Sequence, residues 1–319
     1  MGAASRTNGA AACATLRTMI AVRCTVRGCG ATIPACAASS RTQSSGSADT
    51  GLRGPCGHCF DIARSGYINL LQPQDRRSRE PGDAAEAIAA RRRLLDAGVG
   101  AALLEALAAV IASLDLPRGA RTLDIGSGEG SLLGALAARF GLEAVGVELS
   151  ARAADLAARR HPGVLWLVAN ADRGLPCADG SLDLALSITA RRGPAECARV
   201  LAPGGHLVIA VPAPDDLAEL REAALGGADL QDRMTKIVEE HAGHFELVGR
   251  RVARQRSRFA AAQLEDLLVA TYRGGRVGRR GRVAALDGLE VTLSHEIAVF
   301  TRRASPPETS AGVSGSSSR

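Results

Sequence analysis

The stretch Leu123-Asp124-Ile125-Gly126-Ser127-Gly128-Glu129-Gly130 joins a short apolar run to an Ala- and Leu-rich one. Arg121–Ile125 reads as a buried strand and Ser131–Phe140 as a helix. The alternating glycines between them let the backbone turn sharply and let a ligand approach the peptide groups closely. Downstream the alternation continues. Strands are predicted at Ala144–Glu148, Val164–Ala169, Leu182–Ile188, Leu207–Val211, Phe245–Val252 and Leu289–Phe300, with helices at Ala151–Arg160 and Ala195–Leu201. Apolar strands separated by helices predict an α/β fold with a largely parallel, Rossmann-like sheet covered on both faces.

Upstream, Asp83 is a candidate N-cap for a helix running to about Asp96, with Gly98 as its stop, and Leu103–Leu114 reads as a second helix. The organisation predicted is a disordered leader at 1–20, a Cys-containing segment at 21–71 and charged connector helices at 72–117. The sheet domain follows at 118–303, then a disordered tail at 304–319. The Ser-, Thr- and Gly-rich stretch Ala37–Gly51 interrupts the Cys-containing segment and predicts a loop.

Composition bounds the rest. The chain has 319 residues, 46% of them hydrophobic but only 3% aromatic, so its core must be built from Ala, Leu and Val. Apolar runs stay short of the roughly 18 residues a membrane helix needs, which predicts no membrane span. The net charge is +6, and Lys236 is the one lysine among 39 basic residues. That skew, with the abundant Ala and Gly, reflects GC-rich codons and is not by itself a binding signal. Six of the eight cysteines precede residue 60 (Cys13, Cys24, Cys29, Cys36, Cys56 and Cys59). Without a secretory signal they predict a metal site in a cytoplasmic protein, not a disulfide framework. Cys177 and Cys197 read as core residues.

The loop spacing Gly-x-Gly-x-Gly differs from the dinucleotide fingerprint Gly-x-Gly-x-x-Gly. Asp124 at the strand end suits a cationic amino acid better than a pyrophosphate. Glu148 ends the next strand, where a carboxylate can accept both hydroxyls of a ribose. Asp172, after the third strand, can meet an adenine amino group. Together they point to S-adenosylmethionine (SAM), with Asp124, Gly126, Gly128, Glu129, Gly130 and Glu148 around it. Val200-Leu201-Ala202-Pro203-Gly204-Gly205-His206-Leu207 resembles the segment leading into the fifth strand of class I SAM-dependent methyltransferases.

A longer resemblance runs from about residue 22 to residue 303. It is carried by His58-Cys59-Phe60-Asp61-Ile62-Ala63-Arg64-Ser65-Gly66-Tyr67-Ile68-Asn69-Leu70-Leu71, then Arg76-Arg77-Ser78-Arg79-Glu80-Pro81-Gly82-Asp83, then Arg91-Arg92-Arg93-Leu94-Leu95-Asp96-Ala97-Gly98. These segments resemble the 23S rRNA (guanine-N1)-methyltransferase family, which has a small N-terminal zinc-ribbon domain, a charged connector and a class I SAM domain. The resemblance implies a Zn2+ site and 23S rRNA as partner. It implies methylation at N1 of a hairpin-loop guanine. The oligomeric state stays open.

Two departures accompany it. A family zinc cysteine falls on Gly54, which has no ligand atom, while Cys56 lies two residues further on. The expected ligands are therefore Cys24, Cys29, Cys56 and His58, with Cys59 as alternate, and a decayed site without metal is the other reading. Gly100 stands where the family often has a Tyr that contacts cofactor. Ala213-Pro214-Asp215-Asp216-Leu217 matches a segment flanking the methionine end of SAM, with Asp216 the contacting position. Asp215 and Asp216 also read as an N-cap for the next helix.

Methylating guanine N1 requires loss of its proton, so a base or a stabiliser of the O6 enolate is expected. Arg191 and Arg192, at the end of the fourth strand, are the catalytic candidates; surface arginines are the plain alternative. For RNA capture the candidates are Arg76, Arg77, Arg79, Arg91–Arg93 and the run Arg250–Arg282. Tyr67 is a possible stacking side chain or a core residue. A SAM-dependent methyltransferase of a small molecule and a non-catalytic SAM- or RNA-binding relative are the competing functions.

Overall fold

The structure is a computed structural model, and it describes residues 20–33, 51–72, 74, 82–227, 232–271 and 286–304. The predicted leader up to residue 19, the tail beyond residue 304, most of the Ser-, Thr- and Gly-rich stretch, Cys13 and Cys36, and Arg76, Arg77 and Arg79 lie outside the described residues.

The chain begins with short strands β1 (Val22–Arg23), β2 (Thr32–Ile33), β3 (Gly51–Arg53), β4 (Cys59–Ile62) and β5 (Ile68–Asn69). Two helices follow, α1 (Ala85–Asp96) and α2 (Ala101–Ser113). The α/β alternation then runs β6 (Arg121–Ile125), α3 (Ser131–Phe140), β7 (Glu143–Glu148), α4 (Ala151–Arg160), β8 (Leu165–Val168), β9 (Leu182–Ile188), α5 (Pro194–Val200) and β10 (Leu201–Pro212). The last elements are α6 (Ala218–Leu225), α7 (Arg233–His241), β11 (Phe245–Phe259), α8 (Ala261–Thr271) and β12 (Leu289–Arg302).

β1 and β2 pair with each other, and ten strands form one sheet in the order β11-β12-β10-β9-β6-β7-β8-β5-β4-β3. The central run from β10 to β5 is parallel. Both flanks are antiparallel, because β12 inserts between β10 and β11 and because β3, β4 and β5 form a meander. The sheet is thus less uniformly parallel than the alternation implies. Strands β3–β5, read as part of a separate segment, continue the main sheet through β5 on β8.

Alternate residues of the parallel strands face opposite layers, as the period of two requires. Leu123, Ile125, Val145, Val147, Leu165 and Leu167 share one core with Met234 and Ile237 of α7. Trp166, Leu184, Leu186 and Val208 share the other with Leu107 and Ile111 of α2 and Leu133 and Leu136 of α3. A third cluster joins Leu94 of α1, Leu220 of α6 and Leu264, Leu267 and Leu268 of α8 with Phe259 and Val291.

Three boundaries differ from expectation for physical reasons. β10 begins at Leu201, which already pairs with Leu182, and Pro203-Gly204-Gly205 forms an irregularity before His206 resumes the ladder. Gly204 has φ +77° there, a conformation that glycine adopts without penalty. β11 extends through Phe259, well past Val252, because its polar residues alternate along an edge strand that pairs with β12. Asp83 does not cap α1. Ala84 holds that position without a side-chain bond, and Asp83 Oδ2 instead accepts from Arg91 Nη2 at 2.9 Å.

Among the described residues no single helix is long and apolar enough to cross a membrane.

Candidate active site and metal centre

Strand order reverses between β6 and β9, so the crevice of this sheet opens at their carboxyl ends. Asp124 and the glycine loop lie there. Gly126, Gly128 and Gly130 have φ of +72°, +58° and +81°, the left-handed region that side chains disfavour. Their roles differ. A Cβ on Gly126 would meet Ala190 at 2.6 Å, and one on Gly130 would meet Trp166 at 2.4 Å. Gly130 is therefore needed for the close packing of α3 on the sheet. A Cβ on Gly128 would have only the Arg91 guanidinium near it, at 3.6 Å, so its Cα side is uncrowded. Gly128→Val should weaken SAM binding at least about tenfold, because a β-branched residue strains at positive φ. Calorimetry checks this, and unchanged affinity would sink the loop as a cofactor site.

The carboxylates here are unusual in their partners. Glu148 accepts from the Gly128 N–H at 2.9 Å with Oε2 and from the Ser150 N–H at 2.8 Å with Oε1. These bonds tie the loop after β6 to the end of β7. Burial nevertheless raises the Glu148 carboxyl above its usual range. Asp124 is only 3% exposed, and its Oδ1 has no hydrogen-bond partner. Burial first, then the charges of Glu148 and Glu129, push its carboxyl up to about 8. A buried acid without a counter-charge is costly, and a bound cation relieves that cost. The Ser127 hydroxyl is buried and unpartnered as well. Two orphaned polar atoms at the glycine loop fit the cationic amino acid part of SAM.

Around this centre the other candidates are scattered. Asp172, after β8, forms an ion pair with Arg191, after β9, at 3.5 Å. β8 and β9 are separated in the sheet by β6 and β7, so this pair links two loops across the crevice. The Arg191 side chain is 75% exposed. Arg192 instead turns inward, its Nη1 donating to the Ala190 carbonyl at 2.9 Å, and burial lowers its pKa. Thr189, between β9 and these arginines, has φ +54°. Non-glycine residues held there cluster at functional sites.

Asp216 faces β12. Its Oδ1 accepts from the Ser294 N–H at 2.9 Å, and burial raises its carboxyl to about 6. The N-cap reading of Asp215 and Asp216 is corrected. Leu217 occupies the cap of α6 without a side-chain cap bond, and Asp215 pairs with Arg254 at 2.8 Å.

His295 was missed in the sequence. It lies opposite Pro212 at the carboxyl end of β10, and alternation places it on the sheet face of Ile297 and Val299. Burial lowers its pKa to about 4, so its imidazole is neutral near pH 7. Its signal in the sequence was a lone His in an apolar strand, which is too common to single out.

The connector arginines divide. Arg92 pairs with Asp96 and Arg93 with Asp266 on the surface, whereas Arg91 points toward the glycine loop. Tyr67 packs against two hydrophobic clusters, the core outcome. Gly100, at the cap of α2, has φ +94°, a conformation a Tyr would strain.

In the N-terminal segment, ligand atoms of Cys24, Cys29, Cys56 and His58 all lie within 4.8 Å of one another. Two turns bring them together, one between β1 and β2 and one between β3 and β4. A Cβ on Gly54 would lie 3.1 Å from Cys56 Sγ, so the Cys56 thiol fills the space beside residue 54. Cys59 points elsewhere, its Sγ contacting the Gly57 carbonyl at 3.8 Å, and it does not join the cluster. Burial raises the Cys24 thiol to about 12, whereas a hydrogen bond from the His58 backbone lowers Cys56 to about 7. Three sulfurs and an imidazole are the donor set of a structural Zn2+ site. Cys177 and Cys197 are buried free thiols in the core, as expected.

Comparison with known proteins agrees with this layout. Residues 123–209 match the model of a methyltransferase domain. The 23S rRNA (guanine(748)-N(1))-methyltransferase of Streptomyces fradiae is 37% identical over 269 residues, 82% of this chain and 92% of that protein. A Micromonospora griseorubida protein provisionally named a 23S rRNA (guanine-N(1)-)-methyltransferase is 32% identical over 68% of this chain and 77% of its own length. A Bacillus subtilis protein with the same provisional name is 36% identical over 52% of this chain and 59% of its own length. The Streptomyces match takes in 82% of this chain. The chain therefore belongs to the 23S rRNA (guanine-N1)-methyltransferase family.

Proposed function

We propose that this protein uses SAM to methylate N1 of a hairpin-loop guanine in 23S rRNA. The observation that carries this is the 37% identity to the Streptomyces fradiae enzyme over 92% of its length. The crevice supports it with a buried, uncompensated acid beside the glycine loop. Work on rRNA implies the cytoplasm.

SAM, when bound, supplies an electrophilic methyl group on a sulfonium. The chain's own residues do the positioning. Asp124 holds the ammonium group, Glu148 accepts from ribose hydroxyls, and Asp172 stands near the adenine end. The end of β9 presents the acceptor, where Thr189 fixes a turn and Arg191 reaches solvent. Arg191, the exposed one of the two arginines, is assigned to stabilise a developing O6 charge, whereas Arg192 turns inward to the Ala190 carbonyl. A guanine must leave its stack to enter, as bases do for enzymes that modify them. Cys24, Cys29, Cys56 and His58 would hold Zn2+ and thereby fix the N-terminal turns.

For RNA capture, Arg76, Arg77 and Arg79 remain the connector candidates. Replacing all three with Ala should flatten the salt dependence of rRNA affinity by up to about three units and leave SAM affinity nearly unchanged. An unchanged slope removes them from the contact surface. The function itself is tested by mass mapping of methyl groups on 23S rRNA from cells with and without the gene. Loss of one N1-methylguanine on deletion, restored by the wild-type gene, is the expected result. An identical methyl pattern, with turnover of SAM on a small acceptor, would place the protein in small-molecule methylation. No turnover at all would make it a binding protein.

A further inference from the structure

We propose that Arg91 binds the carboxylate of the cofactor's amino acid portion, with Asp83 as its orienting partner. This rests on the reading of SAM as cofactor.

The first observation is the place of Arg91 on its helix. Ile88 and Leu94 are buried, and Arg91 lies three residues from each, so it borders the buried stripe of α1 with its side chain 32% exposed. A guanidinium there needs partners. Its Nη2 donates to Asp83 Oδ2 at 2.9 Å and to the Ala270 carbonyl at 3.3 Å. These bonds hold it between the entry to α1 and the last turn of α8. Among the described residues no acceptor is met by Nη1. That nitrogen lies 3.6 Å from the position a Gly128 Cβ would take. One edge of the guanidinium is thus fixed by protein, and its Nη1 edge lies beside the glycine loop at Gly128.

The second observation is the charge around the loop. The charges of Glu148 and Glu129 bear on Asp124, and Asp83 adds to the repulsion on Glu148. Such a site suits the two cationic groups of SAM, its ammonium and its sulfonium. The remaining group of the amino acid part is a carboxylate, which these acids repel. Arg91 is the cation that reaches the loop, and a guanidinium recognises a carboxylate through parallel N–H donors. The ammonium then meets Asp124 while the carboxylate meets Arg91.

The test compares two ligands on the full-length protein by calorimetry. S-adenosylhomocysteine carries the amino acid portion, and 5′-methylthioadenosine is the same nucleoside thioether without it. Arg91→Ala should weaken S-adenosylhomocysteine by about ten- to a hundredfold, the range for a charged hydrogen bond, and leave 5′-methylthioadenosine within about twofold. Asp83→Ala keeps the guanidinium but removes the ion pair, and should cost S-adenosylhomocysteine only a few-fold. Equal losses for both ligands in Arg91→Ala, or equal losses of S-adenosylhomocysteine in the two variants, overturn the proposal in favour of a tether between α1 and α8. An unchanged S-adenosylhomocysteine affinity in Arg91→Ala overturns it too. Wild-type protein that binds neither ligand would overturn the cofactor reading itself, and this assignment with it.

Discussion

Asp124→Asn should lower SAM affinity by at least about a hundredfold while making the cofactor-free protein more stable above neutral pH. The loss follows from removing one partner of a buried ion pair, which costs about 3–5 kcal/mol. The gain follows from linkage. The folded carboxyl sits at about 8, above its ordinary 3.8, because burial disfavours its charge. A raised acid contributes stability that is fully present below about pH 4 and is lost as pH rises through about 8. Asn carries no such charge, so the variant should lack that decline. Binding a cation favours ionised Asp124, so wild-type protein should release a proton on binding SAM at pH 7. Calorimetry in buffers of different ionisation enthalpy measures that proton, and thermal melts from pH 5 to 9 measure the stability. Equal SAM affinity in the variant, or identical pH profiles without ligand, would falsify the assignment of Asp124 to the cationic end.

Stripping the metal should lower the melting temperature by about 10 °C, the second large effect. Four ligands from two turns converge, and binding free energy at such sites is folding free energy. The segment is tied to the rest. Val22 bridges Cys177, Thr25 donates to the Leu70 carbonyl at 2.5 Å, and Arg23 pairs with Asp179 at 2.9 Å. Strands β3 and β4 extend the sheet beyond β5. A loss of about 3–5 kcal/mol spread over a domain of this size shifts melting by roughly that interval. Metal analysis should find about one zinc per chain, lost in Cys56→Ala and retained in Cys59→Ala. Protein that stays free of metal after expression with added zinc, yet melts normally, would establish the decayed reading.

Much of the fold was legible because its strands are continuous and apolar. Leu182–Ile188, Ser131–Phe140 and Ala151–Arg160 form elements with the predicted bounds. The extension of β11 was hidden because an edge strand tolerates the arginines that, in sequence, read as an RNA-binding run. Position within the loop was legible too, but not the division of labour among its glycines. The tight contact of Gly130 comes from Trp166, a residue 36 positions away that no local pattern connects to it. Arg91 was read with Arg92 and Arg93 as one basic run, because sequence order hides helical phase. Asp83 likewise looked like a cap until a guanidinium two turns on offered it a stronger bond. At the metal cluster, spacing pointed to Cys56, but only the turn geometry separates it from Cys59.

The insertion of β12 between β10 and β11 bears on how the molecule is made. β11 is an edge strand whose neighbour in the sheet is β12, and its ladder runs from Phe245 opposite Arg302 to Phe259 opposite Leu289. A ribosome delivers β11 first and must then synthesise some thirty further residues before its partner emerges. Until then β10 offers a bare parallel edge and β11 has nothing to pair with, both hazards for aggregation. A chain cut short before Leu289 would contain the whole glycine loop, Asp124 and Glu148, yet would lack the Ser294 amide that anchors Asp216. Termination before Leu289, which removes β12, should therefore be as damaging as the loss of the loop itself.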